Sequence, residues 1–286
     1  MKQACIGIDC RSKYFYTARV GRVQDTYHVQ TLARVEKEPL RGQPFLAGHE
    51  ITFGLPDKDV IVKSLHLKDI DAVDPASIIR FEMACSLLDD EDEFAYDYLP
   101  AGDNGRYLAL VHHKSCRETL LNLYGFEAGD EKQSVPRYKM RALALGDGYL
   151  GFCRCAPTEL VCLADFNLPL VSICFIYRQR IVDLAYMTVD RNLSTGPAAL
   201  DMLAADFKTM VNFRLGLLAE QRWSLPLTSL VVTGDGISED FKTILKKYFL
   251  IEVGSPPLLR EYFDGCPENK EIPFEKYLVA LGLAVN

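Results

Sequence analysis

The sequence has no apolar run long enough to cross a membrane, no excess of positive charge and no segment of low complexity. Its most apolar stretch, residues 160–177, is interrupted by Asp165, Asn167 and Pro169, whereas a membrane helix needs about 20 predominantly apolar residues. Asp9 interrupts the apolar stretch nearest the N-terminus, so no signal peptide is expected. These absences predict a protein that does not itself span a membrane.

Positive charge is also in short supply. The chain has 32 Lys and Arg against 39 Asp and Glu, which is a formal net charge of −7 at pH 7. General binding to a phosphate backbone needs a basic face, so no nucleic-acid partner is expected. The nine cysteines are odd in number and lie mostly inside apolar, strand-like runs, as Cys162 and Cys174 do. That pattern is typical of reduced, buried thiols in a cytoplasmic protein.

Short catalytic signatures are missing as well. The sequence contains no Gly-x-x-x-x-Gly-Lys-Ser/Thr, no Gly-x-Ser-x-Gly and no His-Glu-x-x-His. His112, His113 and Cys116 are close together, but the local context of a cysteine nucleophile is absent and a structural role explains them. The sequence therefore indicates no catalytic residue.

A weak internal duplication is present instead. In each half, the pattern predicts a strand that ends in an aspartate (Asp9 or Asp165), then a turn and two further strands. When Asp9 is aligned with Asp165, the strands that follow align without a gap. Two aspartate-bearing turns of this kind can face each other across a cleft. The predicted strands are 4–9, 14–20 and 26–32 in the first half, and 160–165, 170–177 and 181–188 in the second.

The segment between the duplicated halves has a different order of predicted strands and helices. It predicts a strand at 60–67, a helix near 75–88, strands near 94–99 and 107–112, and a helix that starts with the capping box Ser115-x-x-Glu118. After the second half come a helix from Pro197 to about Ala219, strands 229–233 and 250–253, and helices 239–248 and 274–284. We place the boundaries at 1–50 for the N-terminal meander of a first lobe, 51–128 for an inserted small α+β subdomain, 129–158 for the return to the first lobe and the interlobe connection, and 159–286 for a second lobe.

In this order the elements resemble an actin-like ATPase. Among such proteins the chain is most similar to the PilM-type proteins of type IV pilus assembly, and next to the cytoplasmic actin-like domain of the type II secretion platform. The resemblance implies an α/β, bilobal actin-like ATPase (ribonuclease H-like) fold with a small inserted α+β subdomain. The stretches that carry it are IGIDCRS (6–12), residues 60–99, LVCLADF (160–166), SLVVTGDG (229–236) and VALGLAV (279–285).

The resemblance also implies where a nucleotide site would lie. Its residues are Asp9, Arg11 and Ser12 in the first turn, Asp165 and Asn167 in the second, and Gly234, Asp235 and Gly236 in an adenosine-side loop. The family has glycine where this chain has Arg11 and Asn167, and Asp235 interrupts the glycine loop, so backbone N–H groups are poorly placed to close around phosphates. The site is therefore expected to be vestigial or weak. ATP and Mg²⁺ are disfavoured, and Asp9 is a metal ligand only if a nucleotide binds.

Arg11 suggests a specific substitute for the nucleotide. Lying between Asp9 and Asp165, it would neutralise both carboxylates and bridge the two lobes through charge-assisted contacts. The alternative is a solvated turn residue, since exposed ion pairs are common and weak. The sequence leaves both open.

The function that the resemblance implies is that of a cytoplasmic, inner-membrane-associated scaffold of a pilus or secretion platform. Such a scaffold binds the N-terminal cytoplasmic segment of a single-span inner-membrane assembly protein in a groove beside the inserted subdomain. The acidic run 89–93 is either a solvated loop or a docking patch, and self-association is left open. The alternatives are an active Mg-ATP-dependent ATPase of the same fold and a small-molecule kinase, for which no catalytic aspartate in the cleft is recognised.

Overall fold

The computed structural model describes residues 4–24, 26–37, 40, 43–67, 74–87, 90–101, 105–125, 136–154, 156, 158–190, 196–220, 225–263, 266 and 273–285. Within these residues the strands are Cys5–Cys10 (β1), Tyr14–Val23 (β2), Thr26–Glu36 (β3), Glu50–Leu55 (β4), Val60–His66 (β5), Phe94–Pro100 (β6), Arg106–His113 (β7), Arg137–Met140 (β8), Leu160–Asn167 (β9), Leu170–Tyr177 (β10), Arg180–Thr188 (β11), Leu227–Thr233 (β12) and Glu252–Gly254 (β13). The α-helices are Pro75–Ala84 (α1), Lys114–Leu123 (α2), Arg141–Phe152 (α3), Pro197–Glu220 (α4), Glu239–Phe249 (α5) and Leu278–Ala284 (α6). In these described parts of the chain, no helix is both long enough and apolar enough to cross a membrane.

Two five-stranded sheets repeat the same topology. The first has the order β3-β2-β1-β4-β8 and the second β11-β10-β9-β12-β13. In each, the strand that carries the predicted aspartate pairs with an antiparallel strand on one side and a parallel strand on the other. The duplication predicted from the sequence is therefore confirmed by strand order and pairing.

A third, antiparallel sheet of order β5-β7-β6 forms the inserted unit. Side chains along β7 alternate between its two faces, as the period of a strand requires. Ala109 and Val111 pack with Ile79 and Met83 of α1 on one face. Leu108, on the other face, joins the core of the first sheet.

Helices α3 and α6 lie between the two large sheets and pack closely on each other. A Cβ atom at Gly282 would come within 1.7 Å of the Ala144 carbonyl oxygen, and one at Gly148 within 2.2 Å of the Leu278 carbonyl oxygen. Glycine is required at both positions because the two backbones touch there. The main core spans this junction, since it joins Ile8 of β1 with residues of β9 and β10.

The structure corrects two of the domain boundaries predicted from the sequence, one through strand pairing and one through helix packing. Residues 51–55 were assigned to the inserted subdomain, but β4 pairs with β1 and belongs to the first sheet. Residues 278–284 were assigned to the second lobe, but Ala280, Leu281 and Ala284 of α6 pack in a cluster with Ala18 and Val20 of β2 in the first sheet. Both differences arise because contacts between residues distant in sequence decide where an element lies. The division into lobes otherwise remains a proposal.

Local details of several elements also differ from the predictions. The N-cap of α2 is His113, whose Nδ1 accepts a hydrogen bond from the Ser115 N–H at 3.1 Å, so the predicted capping box at Ser115 is wrong. Sequence reasoning did not predict β4, β8 or α3. In the acidic run 89–93, Asp89 lies outside the described residues, and Glu91–Glu93 form an exposed 3₁₀ helix.

Candidate functional site between the two sheets

The two predicted aspartates occupy equivalent positions near the ends of β1 and β9. Asp9 pairs with Tyr16 across the antiparallel ladder, and Asp165 pairs with Ser172, so each partner lies seven residues further along. Both aspartate side chains are fully buried. The repeated topology thus brings two carboxylates into one enclosed space, where each needs a positively charged partner.

Arg11 supplies one of these partners. It lies in the turn after β1, where its backbone N–H donates to the Tyr14 carbonyl at 3.0 Å, and its side chain turns inward with 2% of the residue exposed. Its Nε donates to Asp9 Oδ2 at 2.9 Å and its Nη2 to Asp165 Oδ1 at 3.3 Å. The structure therefore contains the predicted bridge, and the solvated-turn alternative for Arg11 is wrong.

Arg141, the first residue of α3, supplies the second partner. Its Nη1 donates to Asp9 Oδ1, and its Nη2 donates to Asp165 Oδ2 at 2.7 Å. The two arginines and two aspartates thus form a closed ring of alternating charge, in which every carboxylate oxygen accepts from a guanidinium. We call Asp9, Arg11, Arg141 and Asp165 the charge ring. Its formal charges cancel, which is what allows it to be buried.

The protonation states of the ring follow from its enclosure. Burial lowers the pKa of the Arg11 guanidinium, but the charges of Asp165 and Asp9 outweigh this effect, so that the pKa lies above its ordinary value. The pKa of Arg141 is raised in the same way, with burial opposed by Asp9 and Asp165. Both arginines are therefore charged at neutral pH.

The outer end of the ring is closed by the loop after β12. Asp235 Oδ1 accepts a hydrogen bond from the Tyr16 hydroxyl at 2.9 Å and lies 3.6 Å from Arg11 Nη1 and 3.7 Å from Lys276 Nζ. Burial and the hydrogen bond to Asp235 raise the pKa of Tyr16 to about 12. The Arg11 guanidinium also stacks over the Tyr16 ring, with 4.4 Å between Cζ and the ring centroid.

The remaining predicted residues surround the ring without joining it. Gly234 has a φ of +114°, and a Cβ there would meet Phe166 backbone atoms at 2.5 Å. The Gly236 N–H donates to the Phe166 carbonyl at 3.1 Å. Asn167 ends β9 half-buried, and Ser12 is exposed in the first turn. The glycines of this loop are therefore used to pack it against the end of β9.

The ring does not fit the magnesium–nucleotide group that the resemblance implies. Mg²⁺ binds through oxygen ligands in near-octahedral geometry, and both oxygens of Asp9 already accept from arginines. A cation at Asp9 would have to displace Arg11 or Arg141. Among the described residues, no group of three or more His, Cys, Asp or Glu side chains is arranged to hold a metal ion.

Asp57 lies beside the ring and was not predicted. It follows β4 and is fully buried, and its Oδ1 accepts from the Ala142 N–H at 2.7 Å in the first turn of α3. Burial raises the pKa of Asp57 to about 6, against the opposing effects of Arg141, Ser172 and the Ala142 N–H. The N-terminus of α3 carries a partial positive charge and begins with a cation, Arg141, which is unfavourable there. The Asp57 carboxylate compensates for this positive charge.

Sequence reasoning missed Arg141 because no motif surrounds it. A usable signal exists in residues 141–152, RALALGDGYLGF, where the single arginine precedes a run of small and apolar residues that packs as a buried helix. An arginine at the start of such a helix needs a buried carboxylate. That requirement points to the aspartates near the ends of β1 and β9.

A separate surface pocket of about 190 Å³ opens on one face of β1, β2 and β3, with Phe45 at its rim. Further along the same face the sheet is covered by Tyr124, which follows α2 and stacks on Phe53 with ring centroids 3.9 Å apart. Phe15 of β2 also packs on Tyr124, at 5.3 Å. The pocket therefore lies directly beside the inserted unit.

Comparison with protein-family models and with curated proteins gave no match to this sequence. Solved structures do match. A structure described as a PilM-PilN type IV pilus biogenesis complex superimposes with a TM-score of 0.68 at 14% identity, over 98% of this chain and 97% of the other. A Bacteroides thetaiotaomicron protein of unknown function with an actin-like ATPase fold gives a TM-score of 0.53 at 13% identity, over 91% and 94%.

The cytoplasmic domain of EpsL, an inner-membrane component of the Vibrio cholerae type II secretion system, matches with a TM-score of 0.48 at 10% identity, over 87% and 95% of the two chains. The conclusion on fold comes from the first two matches. The chain has the actin-like ATPase fold, as the sequence predicted.

Proposed function

We propose that this protein is an actin-like scaffold of a type IV pilus or type II secretion inner-membrane platform, and that it works without a nucleotide. The charge ring is the observation that carries this proposal. In the family that the chain resembles, a magnesium–nucleotide bridges the lobes, whereas here Arg11 and Arg141 make that connection from within the chain. A protein whose two sheets are joined in this way needs no ligand to hold them together.

The partner in this proposal is the N-terminal cytoplasmic segment of a single-span inner-membrane assembly protein. The likeness of the whole chain to a PilM-PilN complex supports a role in binding. The pocket beside the inserted unit is a suitable place, because an extended peptide needs an apolar groove next to an exposed strand and β3 is at the edge of the first sheet. The protein would then be cytoplasmic and held at the inner membrane by its partner.

Titration of Mg-ATP by calorimetry, with a melting curve beside it, tests the nucleotide part of the proposal. We expect neither heat nor a shift in melting temperature at millimolar Mg-ATP. A nucleotide at 100 times its dissociation constant would add roughly 2.7 kcal/mol of stability, which a melting curve detects easily. Saturable binding would contradict this part and favour the alternative, an active or nucleotide-switched ATPase in which Asp9 binds the metal.

Cross-linking in the native cell tests the binding part. The protein should cross-link to a single-span membrane protein, and a synthetic peptide of that protein's N-terminal segment should bind the purified chain. Ala33→Trp, which fills the pocket, should abolish peptide binding without lowering the melting temperature. Gly216→Ala, at a site with open space around it on α4, is the matched control and should bind normally. Peptide binding that survives Ala33→Trp would place the partner elsewhere on the molecule.

A further inference from the structure

The pocket beside Phe45 has an apolar floor and one charged wall. Ile6 of β1 and Thr17 of β2 are buried beneath it, while Ala33 and Val35 of β3 are half-buried at its side. The register places these side chains on one face, because Thr17 pairs with Ala33 and Ile6 pairs with the residue that supplies the charge. That residue is Arg19.

Arg19 differs from the other arginines that line enclosed parts of this structure. In the described parts of the chain, no carboxylate lies within 4.0 Å of its guanidinium, and its buried Nε has no hydrogen-bond acceptor. Arg11 and Arg141 each also have one buried nitrogen without an acceptor, but Arg11 contacts three aspartates and Arg141 contacts two. A buried donor without an acceptor is destabilising, so an acceptor supplied by a ligand would be favoured.

The surroundings of Arg19 do not neutralise it. Its strand-pair neighbour on β3 is Thr31, which is uncharged and exposed. His49, on the segment that follows Phe45, has its pKa lowered by burial and by the charge of Arg19, so the imidazole is neutral near pH 7. The pocket thus presents an apolar surface with a single positive charge, in a protein whose overall charge is −7.

We propose that Arg19 is a specificity-determining residue of this pocket and that the segment it takes is an extended peptide with an apolar anchor next to a carboxylate. The anchor rests on Ala33, Val35 and Phe45, and the carboxylate of an Asp or Glu accepts from Nε and a terminal nitrogen of Arg19. Side-on, bidentate contact of this kind is the strongest that a guanidinium makes with a carboxylate. This inference rests on the proposed binding function and adds the chemistry of the partner.

Selection from a library of random linear peptides displayed on phage tests the inference, and it does not require the partner to be identified first. The wild-type protein should enrich peptides with Asp or Glu at a fixed spacing from an apolar residue. Synthetic versions of these peptides should bind Arg19→Gln at least about tenfold more weakly, as expected for the loss of a charge-assisted hydrogen bond. Arg19→Glu should instead enrich peptides with Lys or Arg at the same position.

Arg34→Gln is the matched control. Arg34 is exposed on β3 but lies on the opposite face of the sheet, over the Tyr14 ring at 4.5 Å. Its loss should leave both the selected sequences and their affinities unchanged. Melting curves of all three variants establish that each is folded before binding is compared.

The outcomes separate the inference from the function on which it rests. One outcome is a set of peptides that no longer bind when Ala33 is replaced by Trp, but that show no preference for acidic residues and bind Arg19→Gln as well as wild type. This outcome would overturn the role of Arg19 and leave the docking pocket intact. If no enriched peptide loses its binding to Ala33→Trp, both the role of Arg19 and the docking pocket would be overturned. Acidic peptides that bind Arg19→Glu as well as wild type would assign the carboxylate to another cation and overturn the inference.

Discussion

At the scale of single residues, the charge ring shows how two buried aspartates can be fully hydrogen-bonded by arginines of the same chain. Asp9 and Asp165 each accept from both Arg11 and Arg141, so no carboxylate oxygen is left without a donor. The arrangement is stable only when complete, because removing one member leaves an uncompensated charge in a site of low dielectric. Its members therefore act as a unit.

Replacing Asp165 by asparagine tests this interdependence. The variant should lose about 3–5 kcal/mol of unfolding free energy, because the ring would then hold two arginines and one carboxylate while fully enclosed. Denaturant unfolding measures the loss. Asp235→Asn is the control: Asp235 has a side chain 37% exposed at the end of the ring, and its loss should cost less than about 1 kcal/mol. Equal stabilities for the two variants would contradict the picture of a mutually dependent ring.

Asp57 gives the protein a distinct dependence of stability on pH. Its pKa is about 6 when folded, against an ordinary value of 3.8, so between these values the folded state binds more protons than the unfolded state. The contribution of Asp57 to stability is therefore most favourable below about pH 4 and falls as the pH rises to about 6. Two pKa units correspond to roughly 3 kcal/mol.

Asp57→Asn should remove this dependence. Its amide oxygen can still accept from the Ala142 N–H, but the side chain no longer ionises. Relative to wild type, the variant should gain about 3 kcal/mol of unfolding free energy between pH 4 and pH 7, measured by denaturant unfolding at each pH. A stability difference that is the same at both pH values would show that Asp57 titrates alike in the folded and unfolded states.

At the scale of elements, the packing of α3 against α6 depends on glycine backbones. Gly282→Ala should be strongly destabilising, by about 3 kcal/mol or more, because its Cβ would lie 1.7 Å from the Ala144 carbonyl oxygen, between two backbones that cannot shift independently. Thermal and denaturant unfolding measure the effect.

Gly216→Ala supplies the matched control within a helix. Apart from the helix's own backbone and the two chain neighbours, no atom of the described residues lies within 4 Å of the site where its Cβ would be placed. Alanine should therefore stabilise α4 by up to about 1 kcal/mol through its better helix propensity. A loss of stability at this position as large as that at Gly282 would mean that the Gly282 effect does not come from the close approach of α3 and α6.

At the scale of the whole molecule, the two sheets share one core. Ile8 of β1, Leu145 of α3, Leu163 of β9 and Leu283 of α6 belong to the same cluster of buried side chains. The charge ring crosses the same junction. Shared burial of this kind makes separate unfolding of one sheet costly, since it would expose apolar surface and buried charge of the other.

Native-state hydrogen exchange tests this coupling. The most protected amides of β1 and β9 should exchange only through global unfolding and report the same free energy. Arg141→Met should lower that value in both strands together. Amides of β9 that remain protected under conditions where those of β1 have exchanged would show that the two sheets unfold independently.

The sequence alone determined the duplicated strands and the two aspartates near the ends of β1 and β9, and it left Arg11 open between a bridge and a solvated turn residue. Strand periodicity and turns are local properties, so a pattern of a few residues reports them. The duplication then predicts that the two turns after Asp9 and Asp165 face each other. The fold was predicted because these features, in their order along the chain, resemble those of an actin-like ATPase.

Only the tertiary structure decided that Arg141 completes the ring, that Asp57 joins the start of α3, and that β4 and α6 belong with the first sheet. Arg141 contacts Asp9 across 132 residues, and Asp57 contacts Ala142 across 85. Contacts between such distant residues depend on how whole elements pack rather than on local pattern. The charges that hold the two sheets together therefore become visible only once the chain is folded.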